Sequence, residues 1–330
     1  MPSIDIFNND AFGVSSLTAA IAEQPYVPGR LGQLGLFNST GITTTTVQIE
    51  KKGNLLTLVP AAERNAPGLV VNQDKRSMIP FNAIHLPETG AVMADMVQNV
   101  RSFGSESEIQ TVQNIVNDQL SKMRRNLDAT IEFQRIGAVK GEIVDADGVT
   151  VLVDLFAQFG ITQDEIDMEM DTATSMRTKC FEILNAVEDA LGAAMWSRVR
   201  VICGRSFFET FVEHDSVKGA YERYQDGEML RNDPRGGFEF AGITWEQYRG
   251  SVGGTAFVAD GEAHVIVEGV PDLYITRFAP ANYIETVNTL GLPYYAKQEV
   301  MKMGKGVDLE AQSNPISICT RPQVSIKLLQ

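Results

Sequence analysis

Between Ser105 and Gly137 the apolar residues Ile109, Val112, Val116, Leu120, Met123, Leu127 and Ile131 recur at steps of three and four. That spacing is the stripe of one long amphipathic helix. Ser105 and Glu108 stand three apart, the spacing of a capping box, and Glu106 adds negative charge where the helix dipole favours it. Gly137 supplies the expected stop. At about 1.5 Å per residue, roughly thirty residues make a rod about 45 Å long. Leaving the stripe wet would cost about 1.5 to 3 kcal/mol for each large side chain, so something long must lie along it.

Composition narrows the functions open to such a chain. In 330 residues, 28 Lys and Arg face 42 Asp and Glu, a net charge of −14. An acidic chain is a poor candidate for a protein that neutralises phosphates. Its basic pairs, Lys51-Lys52, Lys75-Arg76 and Arg124-Arg125, are isolated from one another. The three cysteines, Cys180, Cys203 and Cys319, are widely spaced, which offers neither a disulfide framework nor a Cys-x-x-Cys metal site and fits a reducing compartment. The N-terminus lacks the pattern of a leader, and no apolar run reaches the roughly eighteen residues that span a bilayer, so secretion and membrane insertion are not expected.

Residues 1–42 carry Asp5, Asp10, Glu23 and Arg30 as their only charges, among scattered apolar residues that include Phe7, Phe12, Leu17, Tyr26, Leu36 and Phe37. Such a segment has too much apolar surface for a solvated tail; it either straps its own domain or lies as an arm on a neighbouring subunit. From Thr43 the pattern turns to strands, with a hairpin expected over Lys51-Lys52-Gly53-Asn54 and a further extended run from Ser77 closing at Pro87. This stretch has no core of its own and is a second candidate for contact between subunits.

After the long helix, Glu142 to Asp154 reads as a hairpin around Asp147-Gly148, and Asp164 to Asp171 as a solvated loop or helix start rich in carboxylates. A second amphipathic helix is expected from about Thr172 to Leu191, buried through Met176, Cys180, Ile183, Val187 and Leu191, with Gly192 at its end. A strand at Arg198–Cys203 follows, then a short helix to His214 opened by a capping box at Ser206 and Glu209. Residues 221–237 read as a surface loop, 238–248 as a strand pair around Ala241-Gly242, and 251–254 as a break. A hairpin is expected over Asp260-Gly261, and strands at Tyr274–Phe278, Tyr294–Met301 and Gln323–Leu329.

Templates for chemistry fail at named places. Gly304-Lys305 is followed by Gly306 instead of the Ser or Thr of a phosphate loop. Asp145-Ala146-Asp147-Gly148 begins like a calcium loop, yet Phe156 stands where the closing Glu belongs. Ser206 has Gly204 on one side but Phe208 on the other, so it is no nucleophile elbow. His85, His214 and His264 lack partners at ligand spacing, and His264 is expected to form a surface pair with Glu262. No enzyme is expected, although a soluble enzyme with a site assembled from dispersed residues stays open as a rival, with Asp164–Asp171 and His264 as its thin hints.

The C-terminal portion carries a family resemblance. Pro280-Ala281-Asn282-Tyr283, Thr286, Asn288, Gly291-Leu292-Pro293-Tyr294 and the stretch from Gln312-Ser313-Asn314-Pro315 to Arg321-Pro322 resemble the closing region of the lambda-type major capsid proteins of tailed bacteriophages. Phe240-Ala241-Gly242-Ile243 before Tyr248, the run Thr45, Val47, Ile49, Glu50, and Arg76 to Pro80-Phe81 fit the same pattern, so the likeness spans nearly the whole chain.

The resemblance implies an α+β fold, that of the tailed-phage major capsid proteins. Residues 1–42 would be an N-terminal arm and 43–87 an extended β loop. Residues 88–170 would form a peripheral domain on a spine helix at 105–137, 171–283 an axial domain, and 284–330 the C-terminal strands of the peripheral domain. Phe7, Phe12, Leu17, Tyr26, Leu36 and Phe37 of the arm, with Lys51, Lys52, Arg64 and Arg76 of the loop, would carry assembly contacts. The implied function is self-assembly, as hexamers and pentamers, of an icosahedral shell around the phage genome. The implied partners are a separate scaffolding protein, because no charged coiled segment precedes the arm, a portal, a decoration protein at three-fold sites, and packaged double-stranded DNA touched without specificity. Such a protein would be assembled in the host cytoplasm and reside in the virion. A bacterial encapsulating shell of the same fold, holding an enzyme cargo, is the alternative within the fold.

Overall fold

The computed structural model describes residues 13–24, 29–51, 77–98, 108–192, 194–222, 234–252 and 254–330. Two short helices, α1 (Val14–Glu23) and α2 (Arg30–Leu34), lead into β1 (Asn38–Gly41), β2 (Thr46–Lys51), β3 (Ser77–Asn82) and β4 (Leu86–Met93). Helix α3 (Ala94–Gln98) precedes the long helix α4 (Glu108–Lys140). Next come β5 (Glu142–Val144), β6 (Val151–Asp154), α5 (Leu155–Phe159), β7 (Glu165–Asp167), α6 (Met176–Leu191), β8 (Arg198–Cys203), α7 (Arg205–Glu213) and α8 (Asp215–Glu222). The remainder is mostly strand: β9 (Phe238–Phe240), β10 (Ile243–Gln247), β11 (Ser251–Val252), β12 (Thr255–Ala256), β13 (Glu262–Glu268), β14 (Tyr274–Phe278), β15 (Tyr295–Val300), β16 (Gly306–Ser313), β17 (Pro315–Cys319) and β18 (Lys327–Leu329).

The chain forms two compact units. The first gathers the described residues of Met1–Val47, Asn82–Arg135 and Ile275–Ser317, and the second those of Gln48–Phe81, Ile136–Tyr274 and Ile318–Gln330. In the first unit the stripe of α4 finds its cover. Val116, Leu120, Met123 and Leu127 share one apolar core with Leu17 and Ile21 of α1 and with Val92, Ala296, Val307, Leu309 and Ala311. Those last five lie on the antiparallel sheet β15-β16-β4. Ile131 is buried as well, while the side chains of Ile109 and Val112, like Ser105, lie outside the described residues. Extended backbone does not end at Pro87, which sits inside β4 opposite Gln312. An edge strand accepts proline because its outward amide needs no partner. A second sheet, in the order β1-β14-β17, completes this unit.

The second unit is built on a six-stranded mixed sheet in the order β7-β18-β13-β8-β10-β9. Its central strands read as continuous apolar runs, since Val199, Val201, Ile202, Val265, Ile266 and Val267 are all buried on one face or the other. Helix α6 buries Met176, Cys180, Ile183, Val187 and Leu191, as its period predicts, and stops at Gly192. Trp245 of β10 stacks on Phe211 of α7 with ring centroids 3.9 Å apart.

Several expectations are corrected here. Gly137 does not stop the long helix, which runs on to Lys140 and ends at Gly141, where φ is +93°. Gly137 is glycine for a different reason: a Cβ there would stand 2.7 Å from the Glu142 carbonyl oxygen and 2.9 Å from the Ile143 Cα. The hairpin β5–β6 forms as expected, with the Asp147 carboxylate accepting the amides of Val149 and Thr150, but it belongs to the second unit and takes no part in covering Val116 to Leu127. No hairpin forms over Asp260-Gly261: β12 pairs with β11, within the expected break, and β13 pairs with β8 and β18. Helix α7 begins from Gly204 without a side-chain cap, and the Ser206 hydroxyl donates instead to the Asp260 carbonyl.

The acidic stretch is an edge strand and turn more than a solvated loop. Ile166, Met168 and Met170 alternate inward, while β7 pairs in parallel with β18. Tyr221 and Glu222 end helix α8, and 223–233 lie outside the described residues. Strand β2 pairs with β3; the expected return at 55–59 lies outside the described residues. Residues 136–170 and the final strand join the second unit, whereas Ile275–Tyr283 join the first.

Candidate assembly surfaces

The long helix carries a second stripe, made of charge. Arg124, Asp128, Glu132 and Arg135 follow at steps of four, four and three, and all four are buried. Each acts on the N-terminal segment or on what lies beside it. Arg124 Nη1 donates to the carbonyls of Ile21 and Ala22, both at 2.6 Å, near the C-terminal end of α1. Those carbonyls have no partner within their own helix, and a cation suits the negative end of its dipole. The same guanidinium lies 4.7 Å from the centre of the Tyr294 ring and 3.7 Å from Asp128, which also accepts a short hydrogen bond from the Tyr294 hydroxyl.

Eight residues further along, the charge reverses. The Glu132 carboxylate accepts the amides of Leu31 at 2.6 Å and Gly32 at 3.3 Å, near the start of α2. Gly29 permits this approach, because a Cβ there would stand 2.2 Å from the Glu132 Cδ. Arg135 donates to Ser39 Oγ at 3.2 Å and to Thr276 Oγ1 at 3.4 Å, and lies 5.5 Å from the centre of the Phe37 ring. On the other side of α1, the Thr18 hydroxyl accepts the Ala296 amide of β15. Residues 13–24 and 29–41 are therefore strapped to the chain's own first unit.

This fixes the placement of the expected contact residues. Leu17 is 2% exposed and Phe37 is 9% exposed, both covered by residues of the same chain. Leu36 is half-buried, and Lys51 ends β2. Phe7, Phe12, Tyr26, Lys52, Arg64 and Arg76 lie outside the described residues.

The exposed apolar surface lies elsewhere. In the first unit, Ile284 is 91% exposed, and Val287, Leu290 and Leu292 are exposed beside it in the segment between β14 and β15. The segment is held from beneath: Thr286 is buried, its hydroxyl donates to the Ala281 carbonyl at 2.7 Å, and the Gly291 amide donates to the Ile42 carbonyl at 2.8 Å. Met303, in the turn between β15 and β16, is 92% exposed. In the second unit, Val149, Val151 and Leu152 stand out on the β5–β6 hairpin. Sequence reasoning missed the 284–292 ridge; its available signal was Ile284, Val287 and Leu290 at steps of three between Pro280 and Pro293, in a stretch with no strand or long-helix pattern.

The groups with reactive potential are quiet. Burial pushes the thiols of Cys180 and Cys319 up to about 12 and that of Cys203 well above its usual value. Among the described residues no cluster of His, Cys, Asp and Glu is arranged to hold a metal ion, and no helix is long and apolar enough to cross a membrane. His264 stands beside Glu262 as expected, with its Nε2 3.6 Å from the carboxylate, but the ring is buried and not at the surface.

Comparison with known proteins agrees along nearly the whole length. The family described as phage major capsid protein E matches residues 13–329. The major capsid protein of Pseudomonas phage KPP10 is 28% identical, over 96% of this chain and 96% of that protein. The major capsid protein of Salmonella phage Felix O1 is 26% identical, over 96% of this chain and 95% of its own length. Among solved structures, the capsid of cyanophage P-SCSP1u shares the fold with a TM-score of 0.52 at 11% identity, covering 92% of this chain and 89% of that one.

Proposed function

The chain belongs to the phage major capsid protein E family and is a structural protein of the icosahedral phage head shell, and we propose that it builds that shell as hexamers and pentamers around packaged double-stranded DNA. The observation that carries this reading is the family match over residues 13–329, joined to a fold with a long helix bracing one unit and a sheet-centred second unit. In this reading the first unit is the peripheral domain and the second the axial domain. The role is structural and not enzymatic. Contacts between copies fall to the apolar ridge at Ile284–Leu292, to Lys51, Lys52, Arg64 and Arg76 in the sequence between β2 and β3, and to Phe7 and Phe12.

The net charge of −14 supports confinement of DNA more than adhesion to it. Many weak contacts become strong together once a ring closes, because each further contact is effectively intramolecular. A separate scaffolding protein, a portal, a decoration protein at three-fold sites and assembly in the host cytoplasm complete the proposal. Expression of the full-length chain, alone and with a co-expressed scaffolding protein, followed by size-exclusion chromatography and negative-stain microscopy, tests it. Rings, tubes or closed shells are expected; a single-chain species under both conditions overturns the reading.

A further inference from the structure

Strand β18 is held by a small group of half-buried and exposed charges around one buried histidine. Strand β18 has three residues, paired with β13 on one side and β7 on the other. Lys327 lies opposite His264 in the register with β13. Its ammonium is 2.7 Å from Glu262 Oε1 and 3.9 Å from Glu165 of β7. On the same strand as Glu262, the His264 ring is 2% exposed, with its Nε2 3.6 Å from Glu262 Oε2. Among the described residues, both of its ring nitrogens lack a hydrogen-bond partner. From α4, Lys140 adds a positive charge that acts on His264, Glu262 and Lys327, and Glu142 of β5 offsets part of it. On the β8 side, His264 faces Ile202, which offers no charge.

We propose that protonation of His264 loosens the C-terminal strand, making β18 an acid-sensitive latch on the six-stranded sheet. An imidazolium at this place puts a third cation beside Lys140 and Lys327 and competes with Lys327 for the one carboxylate that anchors the strand to β13. Burial holds the His264 imidazole below its ordinary value, with Glu262 opposing and the two lysines adding to the depression. The contact with His264 and the bond to Lys327, against the cost of burial, keep the Glu262 carboxyl down at about 2, so it stays ionised while the histidine titrates. The opened strand exposes His264 to water and restores its ordinary affinity for protons. A group that binds protons more weakly when closed makes the closed form lose stability as pH falls below the ordinary histidine value, about 6.5. The loss is complete once pH passes below the depressed value. Local opening of a three-residue strand is a motion on which such a shift registers.

Hydrogen–deuterium exchange of the full-length chain at pH 7.5 and 5.0, corrected for intrinsic exchange, tests the latch. Peptides covering Ile326–Gln330 should lose at least tenfold in protection at pH 5.0, while peptides from α6 keep theirs. In His264→Gln the strand should be equally protected at both values. Lys140→Met, which leaves the histidine in place, should shrink the pH effect, because it removes one of the cations that make the imidazolium costly. Lys327→Met should lower protection at both pH values. Undiminished protection of Ile326–Gln330 in the wild type at pH 5.0 would overturn the latch. So would an acid response in Lys140→Met as large as in the wild type, a comparison that stands even if His264→Gln does not fold.

Discussion

Replacing Arg124 with methionine tests the strap at its strongest point. The guanidinium is 7% exposed and holds the Ile21 and Ala22 carbonyls at 2.6 Å, with Asp128 at 3.7 Å and the Tyr294 ring at 4.7 Å. Charge-assisted hydrogen bonds contribute about 1.5 to 3 kcal/mol each. Removing one partner of a buried ion pair costs about 3 to 5 kcal/mol, because the other charge stays behind without compensation. Asp128 keeps the Tyr294 hydroxyl, and methionine fills much of the vacated volume. The expected loss is therefore near the lower end, about 3 kcal/mol, or a little over a hundredfold in the folding equilibrium. Urea unfolding of the full-length chain measures it, and hydrogen exchange of α1 amides shows whether the loss is local. The double variant Arg124→Met/Asp128→Leu should recover more than about 1 kcal/mol relative to the sum of the single changes, since it removes both charges together. If Arg124→Met falls within about 0.5 kcal/mol of wild type and α1 stays protected, the charge stripe does not hold the strap.

Other consequences follow from the same packing. Leu120→Ala, at a fully buried position of the stripe, should cost about 2 to 5 kcal/mol in the same unfolding measurement, and Val116→Asp should give no soluble folded chain. Ile284→Asp, at a position 91% exposed, should leave the circular dichroism spectrum and unfolding midpoint unchanged while microscopy shows loss of closed particles. Cys180, Cys203 and Cys319 should resist Ellman's reagent at pH 8 in the native protein and react fully in denaturant, because all three are buried and their thiols hold their protons well above that pH.

What was legible in the sequence is what local spacing decides. The stripe of α4 and the buried face of α6 follow from a 3.6-residue period, and Asp147-Gly148 marks the hairpin, although its connection spans residues 145–150 and not two residues alone. The misreadings share a cause: a residue type with two physical uses was assigned the commoner one. At Gly137 the missing Cβ makes room for Glu142 and Ile143, and the helix ends four residues later at Gly141. Asp260-Gly261 has the chemistry of a hairpin, yet β13 finds β8 and β18 instead, pairings set across long sequence separations.

The charged stripe of α4 was the costliest omission for function. Arg124, Asp128, Glu132 and Arg135 have the same helical period as the apolar face, and charged residues at that spacing ordinarily mark the solvated side of a helix. Here they are buried because the N-terminal segment brings them the unpaired ends of two short helices, carbonyls to Arg124 and amides to Glu132. The segment's own poverty in charge is the other half of that match. Residues 13–24 and 29–41 carry Glu23 and Arg30 as their only charges, and the ends of their two helices take charged partners from the long helix. The helix thus braces its unit twice over, by apolar burial under the sheet β15-β16-β4 and by charge beneath the strap. Leu17 and Phe37 are thereby buried within the chain, whereas Ile284, Val287, Leu290 and Leu292 stay uncovered by it.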